Sequence, residues 1–141
     1  LIKEVIMPVY SLPDLAYGYR DLEPLLAAEI LELHHAKHHA AYVNGANAAL
    51  EALDEARERD DFDRINQLEK NLAFHVSGHV LHSLLWRNLA PDGSKLGQAL
   101  ADALRKHFGG LEPFKAQMTA AAAQVQGSGW AALCWEPWAK R

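Results

Sequence analysis

The single cysteine, Cys134, has nothing in the chain to pair with. A disulfide scaffold is excluded, and a lone thiol suits a reducing compartment. No apolar run approaches the roughly 18 residues that a membrane-spanning helix needs, so no membrane partner is expected. The opening Leu1-Ile2-Lys3-Glu4-Val5-Ile6-Met7-Pro8 is short and broken by charge, which does not read as a signal peptide. A cytoplasmic location is the expectation. Basic excess is also missing: Lys+Arg number 14 against Asp+Glu 18, a formal net charge of −4. Without a basic block, no nucleic-acid partner is expected. Low-complexity segments and repeats are absent. With 50% hydrophobic and 23% charged residues in 141, the chain has the material for a packed core.

What the sequence does have is histidine. There are 8, and 7 of them fall between His34 and His82.

The chain divides by punctuation. Residues 1–23 read as an extended lead-in, since Pro8, Pro13 and Tyr17-Gly18-Tyr19 do not suit a helix. Pro24 sits where a helix can begin. From 27 to 59 the composition is helical, with Val43, Ala46, Leu50 and Leu53 forming an apolar stripe. Gly45 reads as a weak point, at a cost of about 1 kcal/mol against alanine. Asp60-Asp61-Phe62-Asp63 breaks the pattern and offers a cap for a second helix over 61–88. Its seam is Ile65, Leu68, Leu72, His75, His79, His82 and Trp86. A short turn between two long helices predicts an antiparallel hairpin.

After a turn at 91–94, shorter helices are predicted over 97–108 and 113–125. Residues 130–135 alternate like a strand. No second strand is evident, and a lone strand leaves its backbone groups unpaired. The fold class is therefore mostly α: a long antiparallel α-hairpin in 1–90, then the beginning of an α/β (α+β) domain in 91–141 with an incomplete sheet.

Hairpin arithmetic brings the histidines together. With the turn centred near 60, residue i faces residue 120−i. His34 then faces Trp86 and His38 faces His82; a turn centred near 58 puts His34 opposite His82 instead. In both registers His34, His38, Tyr42, His82 and Trp86 lie within about one helical turn, 5.4 Å. One seam imidazole is explained by one hydrogen bond. Several at one level of two facing helices are better satisfied by a shared metal ion. Imidazole with carboxylate and water suits iron, manganese or zinc, and two imidazoles alone do not close such a site.

These segments resemble the iron/manganese superoxide dismutase family. The similarity is carried by Tyr10-Ser11-Leu12-Pro13-Asp14-Leu15, Leu22-Glu23-Pro24 and the run Leu33-His34-His35-Ala36-Lys37-His38-His39-Ala40-Ala41-Tyr42-Val43. It continues through Gly78-His79-Val80-Leu81-His82-Ser83-Leu84-Leu85-Trp86, Leu89-Ala90-Pro91 and Val125-Gln126-Gly127-Ser128-Gly129-Trp130.

The resemblance implies an antioxidant oxidoreductase that disproportionates superoxide to oxygen and hydrogen peroxide, with one Mn or Fe ion per chain. It implies that His34 and His82 are metal ligands, and that His38 and Tyr42 form a gateway and proton relay. Trp86 and Trp130 become an aromatic cage. It also implies a homodimer or homotetramer. The family's Asp and third His ligands, in a D-x-W-E-H segment, match nothing after Trp130, which places them beyond Arg141. Leu81 stands where Asn is usual and Cys134 is a departure in the aromatic strand, while Gly78 leans towards manganese. Two alternatives share this ancestry: a truncated, non-catalytic metal-binding paralogue, and one half of a split enzyme completed by another chain. On this reading the 141 residues alone are expected to bind metal weakly, to show little dismutase activity and to be prone to association.

Overall fold

Residues 8–141 are described by a computed structural model. The first seven residues, and with them the reading of Leu1–Met7, lie outside the described residues. From Pro8 the lead-in runs without regular structure to residue 27. Helix α1 then spans Ala28–Glu32, a π-helical segment spans Leu33–His39, and helix α2 spans Ala40–Glu58. Helix α3 is Ile65–Asn88, α4 is Gln98–Phe108 and α5 is Leu111–Ala123. The described residues form two compact units, divided between Gly93 and Ser94.

In the first unit α2 packs along α3 in the predicted hairpin. Its core is narrow and built of small side chains: Ala46, Ala49 and Ala56 are buried beside Leu31, Val43, Leu53 and Trp86. Small residues let the helices approach closely. At Gly78 an added Cβ would lie 2.2 Å from Tyr42 Cδ1, and at Gly45 one would lie 2.3 Å from His75 Cε1. Each helix thus seats one ring of the other in a glycine hole, and both pairs obey the 120−i register. Gly45, read from sequence as a weak point, is a seat.

Three sequence expectations are corrected here. The first helix is not uniformly α. The His34–His39 run is π-helical, with Ala40 N–H donating to His35 C=O, five residues back. The second helix begins at Ile65 rather than 61, and no side chain caps it. Asp61 instead accepts from Asp63 N–H at 3.3 Å, which closes a local turn that competes with the helix. The strand expected at 130–135 does not form: this segment has no regular structure, and the described residues contain no strand. An extended segment without a ladder partner has nothing to fix it as a strand.

In the second unit α4 ends at Gly109, whose φ of 85° is left-handed. Gly110 N–H reaches Leu104 C=O at 3.2 Å, the closure that a glycine pair permits. α5 starts at Leu111, two residues earlier than expected. Pro113 lies in its first turn, where the missing N–H has no partner to lose. Leu104 is the buried side chain of this unit, and Trp135 and Trp138 stay exposed. No described helix is long and apolar enough to cross a membrane.

Candidate metal centre

The hairpin brings His34, from the π segment, to His82, from α3. Their Nε2 atoms are 3.0 Å apart. His82 is 1% exposed, and its Nδ1 lies 2.6 Å from the carbonyl of Gly78, one turn back. A carbonyl only accepts, so Nδ1–H is the donor and His82 is the Nδ1-protonated tautomer. Its Nε2 therefore presents a lone pair to His34. That contact is satisfied either by a proton on His34 Nε2 or by a cation between the two nitrogens. Two ligands about 2.1 Å from one ion lie no more than about twice that apart, so the pair fits.

His38 is the third imidazole. Its ring centroid is 5.0 Å from that of His82 and 5.4 Å from that of His34. One nitrogen from each of His34, His38 and His82 can be chosen so that all lie within 4.8 Å of one another. His34 faces Trp86 edge-on at 5.0 Å. The predicted oppositions of His34 with Trp86 and His38 with His82 are thus both present, as is the alternative pairing of His34 with His82. Tyr42 lies over the same level, 5.2 Å from His38 and 5.2 Å from His82 between ring centroids, pressed on Gly78. Trp130 belongs to the second unit, and its place in a cage remains an inference from resemblance.

His34 and His82 resist protonation. Burial lowers the pKa of His34, and the charges that His82 and His38 would carry lower it further. Burial also lowers His82, outweighing the hydrogen bond to Gly78 that favours its charged form. His39 is pushed down to about 4, first by burial and then by neighbouring His82, His79 and His35. Metal ligation needs neutral imidazole, and burial favours that form at His34 and His82. Imidazole nitrogens suit iron and zinc, and manganese once carboxylate and water oxygens join them.

His35 and His39, each one residue on from His34 and His38, received no role from sequence reasoning. His35 is fully bonded: Nε2–H donates to Pro13 C=O at 2.8 Å, and Nδ1 accepts from Tyr19 O–H at 3.0 Å. It fastens the lead-in to the hairpin. Asn47 does the same through two 2.9 Å bonds to the backbone of Tyr10, and Tyr17 O–H donates to Trp86 C=O at 3.1 Å. The signal available was the offset of His35 and His39 by one residue from His34 and His38, which turns them to another face. His75, placed on the seam from sequence, has a buried Nδ1 without a partner.

Comparison with known proteins follows the same division. Residues 9–90 match the family described as "Iron/manganese superoxide dismutases, alpha-hairpin domain", and residues 96–141 match its C-terminal domain. The chain is 54% identical over 136 residues to the superoxide dismutase [Mn/Fe] of Propionibacterium freudenreichii subsp. shermanii, covering 94% of this chain and 68% of the relative. It is 56% identical over 128 residues to the superoxide dismutase [Mn] of Nocardia asteroides, covering 90% and 62%. It is 49% identical over 131 residues to the superoxide dismutase [Fe] of Pyrobaculum aerophilum, covering 91% and 62%. The chain therefore spans about two thirds of the length of these curated relatives.

Proposed function

The chain belongs to the iron/manganese superoxide dismutase family, and from that premise we propose that it serves the disproportionation of superoxide to oxygen and hydrogen peroxide at one manganese or iron ion. The observation that carries this reading is the tautomer of His82: its Nδ1–H is spent on Gly78, so its Nε2 lone pair meets His34 at 3.0 Å. His34 and His82 hold the ion. The Asp and third His that the family resemblance implies match no residue of the 141.

When bound, the ion supplies electron exchange by alternating between the +2 and +3 states. The residues around it manage a small anion and its protons. Two superoxides take up two protons, and Tyr42 O–H with exposed His38 would pass them inward from solvent; the packing of the Tyr42 ring on His38 and His82 supports this role. Trp86, edge-on to His34 at 5.0 Å, excludes water from that side of the ion, which strengthens the charges beside it. Relatives carry manganese, iron or either in their names, and both metals suit imidazole joined by a carboxylate and water. Assembly as a homodimer or homotetramer, and a cytoplasmic setting, complete the reading.

A second reading is favoured by one observation. The three imidazoles His34, His38 and His82 can offer nitrogens within 4.8 Å of one another with no carboxylate among them. Such a set suits metal holding without turnover. The test is a superoxide assay on the purified chain, with manganese and iron content measured in parallel. It is repeated with a D-x-W-E-H segment supplied in cis. Activity that rises together with metal content supports the first reading. Stoichiometric metal with no activity in either form supports the second.

A further inference from the structure

The hairpin holds a second imidazole pair whose chemistry is set differently. His39 is fully buried, and its Nδ1 lies 2.9 Å from Trp86 Nε1. An indole nitrogen only donates, so His39 Nδ1 is the acceptor. The neutral ring then carries its proton on Nε2, and that N–H donates to His79 Nδ1 at 2.8 Å. His79 in turn keeps its proton on Nε2. One donor-only group thus fixes both tautomers. With a proton between its nitrogens, this pair has no lone pair to share with a cation.

Trp86 is held at two points, by His39 at the indole nitrogen and by Tyr17 at the backbone carbonyl. Its ring stands at 79° to the ring of His34. We propose that His39 and His79 are positioning residues that hold the indole of Trp86 against His34, and so aim His34 Nε2 at His82. The proposal deepens the metal reading and rests on it only where a metal is the probe.

His39→Leu removes both hydrogen bonds at similar volume. His39→Gln can still accept from the indole with its oxygen and donate to His79 with its amide, so it is the rescuing variant. Two measurements are made on the 141-residue chain. In the metal-free chain, NMR reads the Trp86 indole N–H and the ring nitrogens of His34 and His82. His39→Leu is expected to shift the indole proton and to abolish the signature of the His34–His82 contact, and His39→Gln to preserve both. With Mn(II) as probe, His39→Leu is expected to weaken binding by about 10- to 100-fold, the usual effect of losing a ligand's supporting contact, and to change the Mn(II) EPR line shape. His39→Gln should stay near wild type.

An indole resonance unmoved in His39→Leu overturns the proposal, and so does a moved indole with His34 nitrogens and Mn(II) affinity unchanged. If wild type binds no Mn(II) even with a D-x-W-E-H segment supplied in cis, the ligand reading fails, and the metal-free arm alone decides the positioning role. Should His39→Leu not fold, His79→Leu against His79→Asn tests the outer link with the same two readouts.

Discussion

Two imidazole pairs bridge the same hairpin, His34 with His82 at 3.0 Å and His39 with His79 at 2.8 Å. By distance they are nearly alike. They differ in what the far nitrogen of one member touches. His82 Nδ1 meets a carbonyl, which leaves a lone pair facing its partner. His39 Nδ1 meets an indole N–H, which leaves a proton facing its partner. The first pair can take a cation and the second cannot. In a buried cluster of one residue type, the second neighbour of each ring decides its chemistry.

Breaking the first pair should have the largest effect. His82→Ala removes a ligand and is expected to abolish manganese and iron retention, and with it the activity of any form that has activity. His79→Ala should retain metal, with affinity down by about tenfold. Elemental analysis of both purified variants separates them. Equal metal loss in the two would erase the distinction between the pairs.

Acid should expose the second pair next. His39 is held near 4 against an ordinary 6.5, so the folded chain binds fewer protons than the unfolded chain between those values. Stability is full above about 6.5 and is lost as the pH falls towards 4, by at most about 3 kcal/mol. His34 and His82 shift in the same direction and add to the slope. Urea denaturation of the metal-free chain at pH 7, 5.5 and 4.5 measures it, and His39→Gln should flatten the profile. A wild-type stability that does not change over this range rules the effect out.

The glycine seats sharpen the comparison at a smaller scale. Gly78→Ala forces the Tyr42 ring off the backbone, an overpacking cost of about 1–3 kcal/mol. Helix propensity returns up to about 1 kcal/mol. Tyr42 packs against both His38 and His82, so metal affinity should suffer along with stability. Gly45→Ala presses on His75, further along the seam, and should lower the melting temperature without moving metal affinity. The smallest effect on the fold belongs to Tyr42→Phe, which removes one hydroxyl and little volume. Its metal content and melting temperature should match wild type, while the pH profile of turnover in an active, complemented form changes. An unchanged profile would remove Tyr42 from proton transfer.

Much of this was legible in the chain. Two registers were open, and in both His34, His38, Tyr42, His82 and Trp86 fall at one level, because a short turn fixes the offset of two helices to within about one turn. The seam from Ile65 to Trp86 was readable because burial follows the 3.6-residue period. The π segment was not readable. The i−5 and i−4 ladders use the same residue types, and packing of His35 and His39 against the lead-in and α3 accompanies the local choice. The start of α3 was misplaced because an aspartate can cap a helix or close its own turn, and the choice depends on the chain that follows. The strand at 130–135 was misread because alternation describes a face, whereas a strand is made by its neighbour.

The sequence by itself determined the hairpin, the level at which five site residues meet and, through consecutive motifs, the family. Those properties follow from periodicity and spacing, which are local. Tertiary structure decided which nitrogen of His35, His39 and His79 carries the proton, and that two glycines serve as seats. The indole of Trp86 sets the His39 and His79 protons across the hairpin, while the Gly78 carbonyl sets that of His82 from one turn back in the same helix, where ring orientation rather than spacing makes the contact.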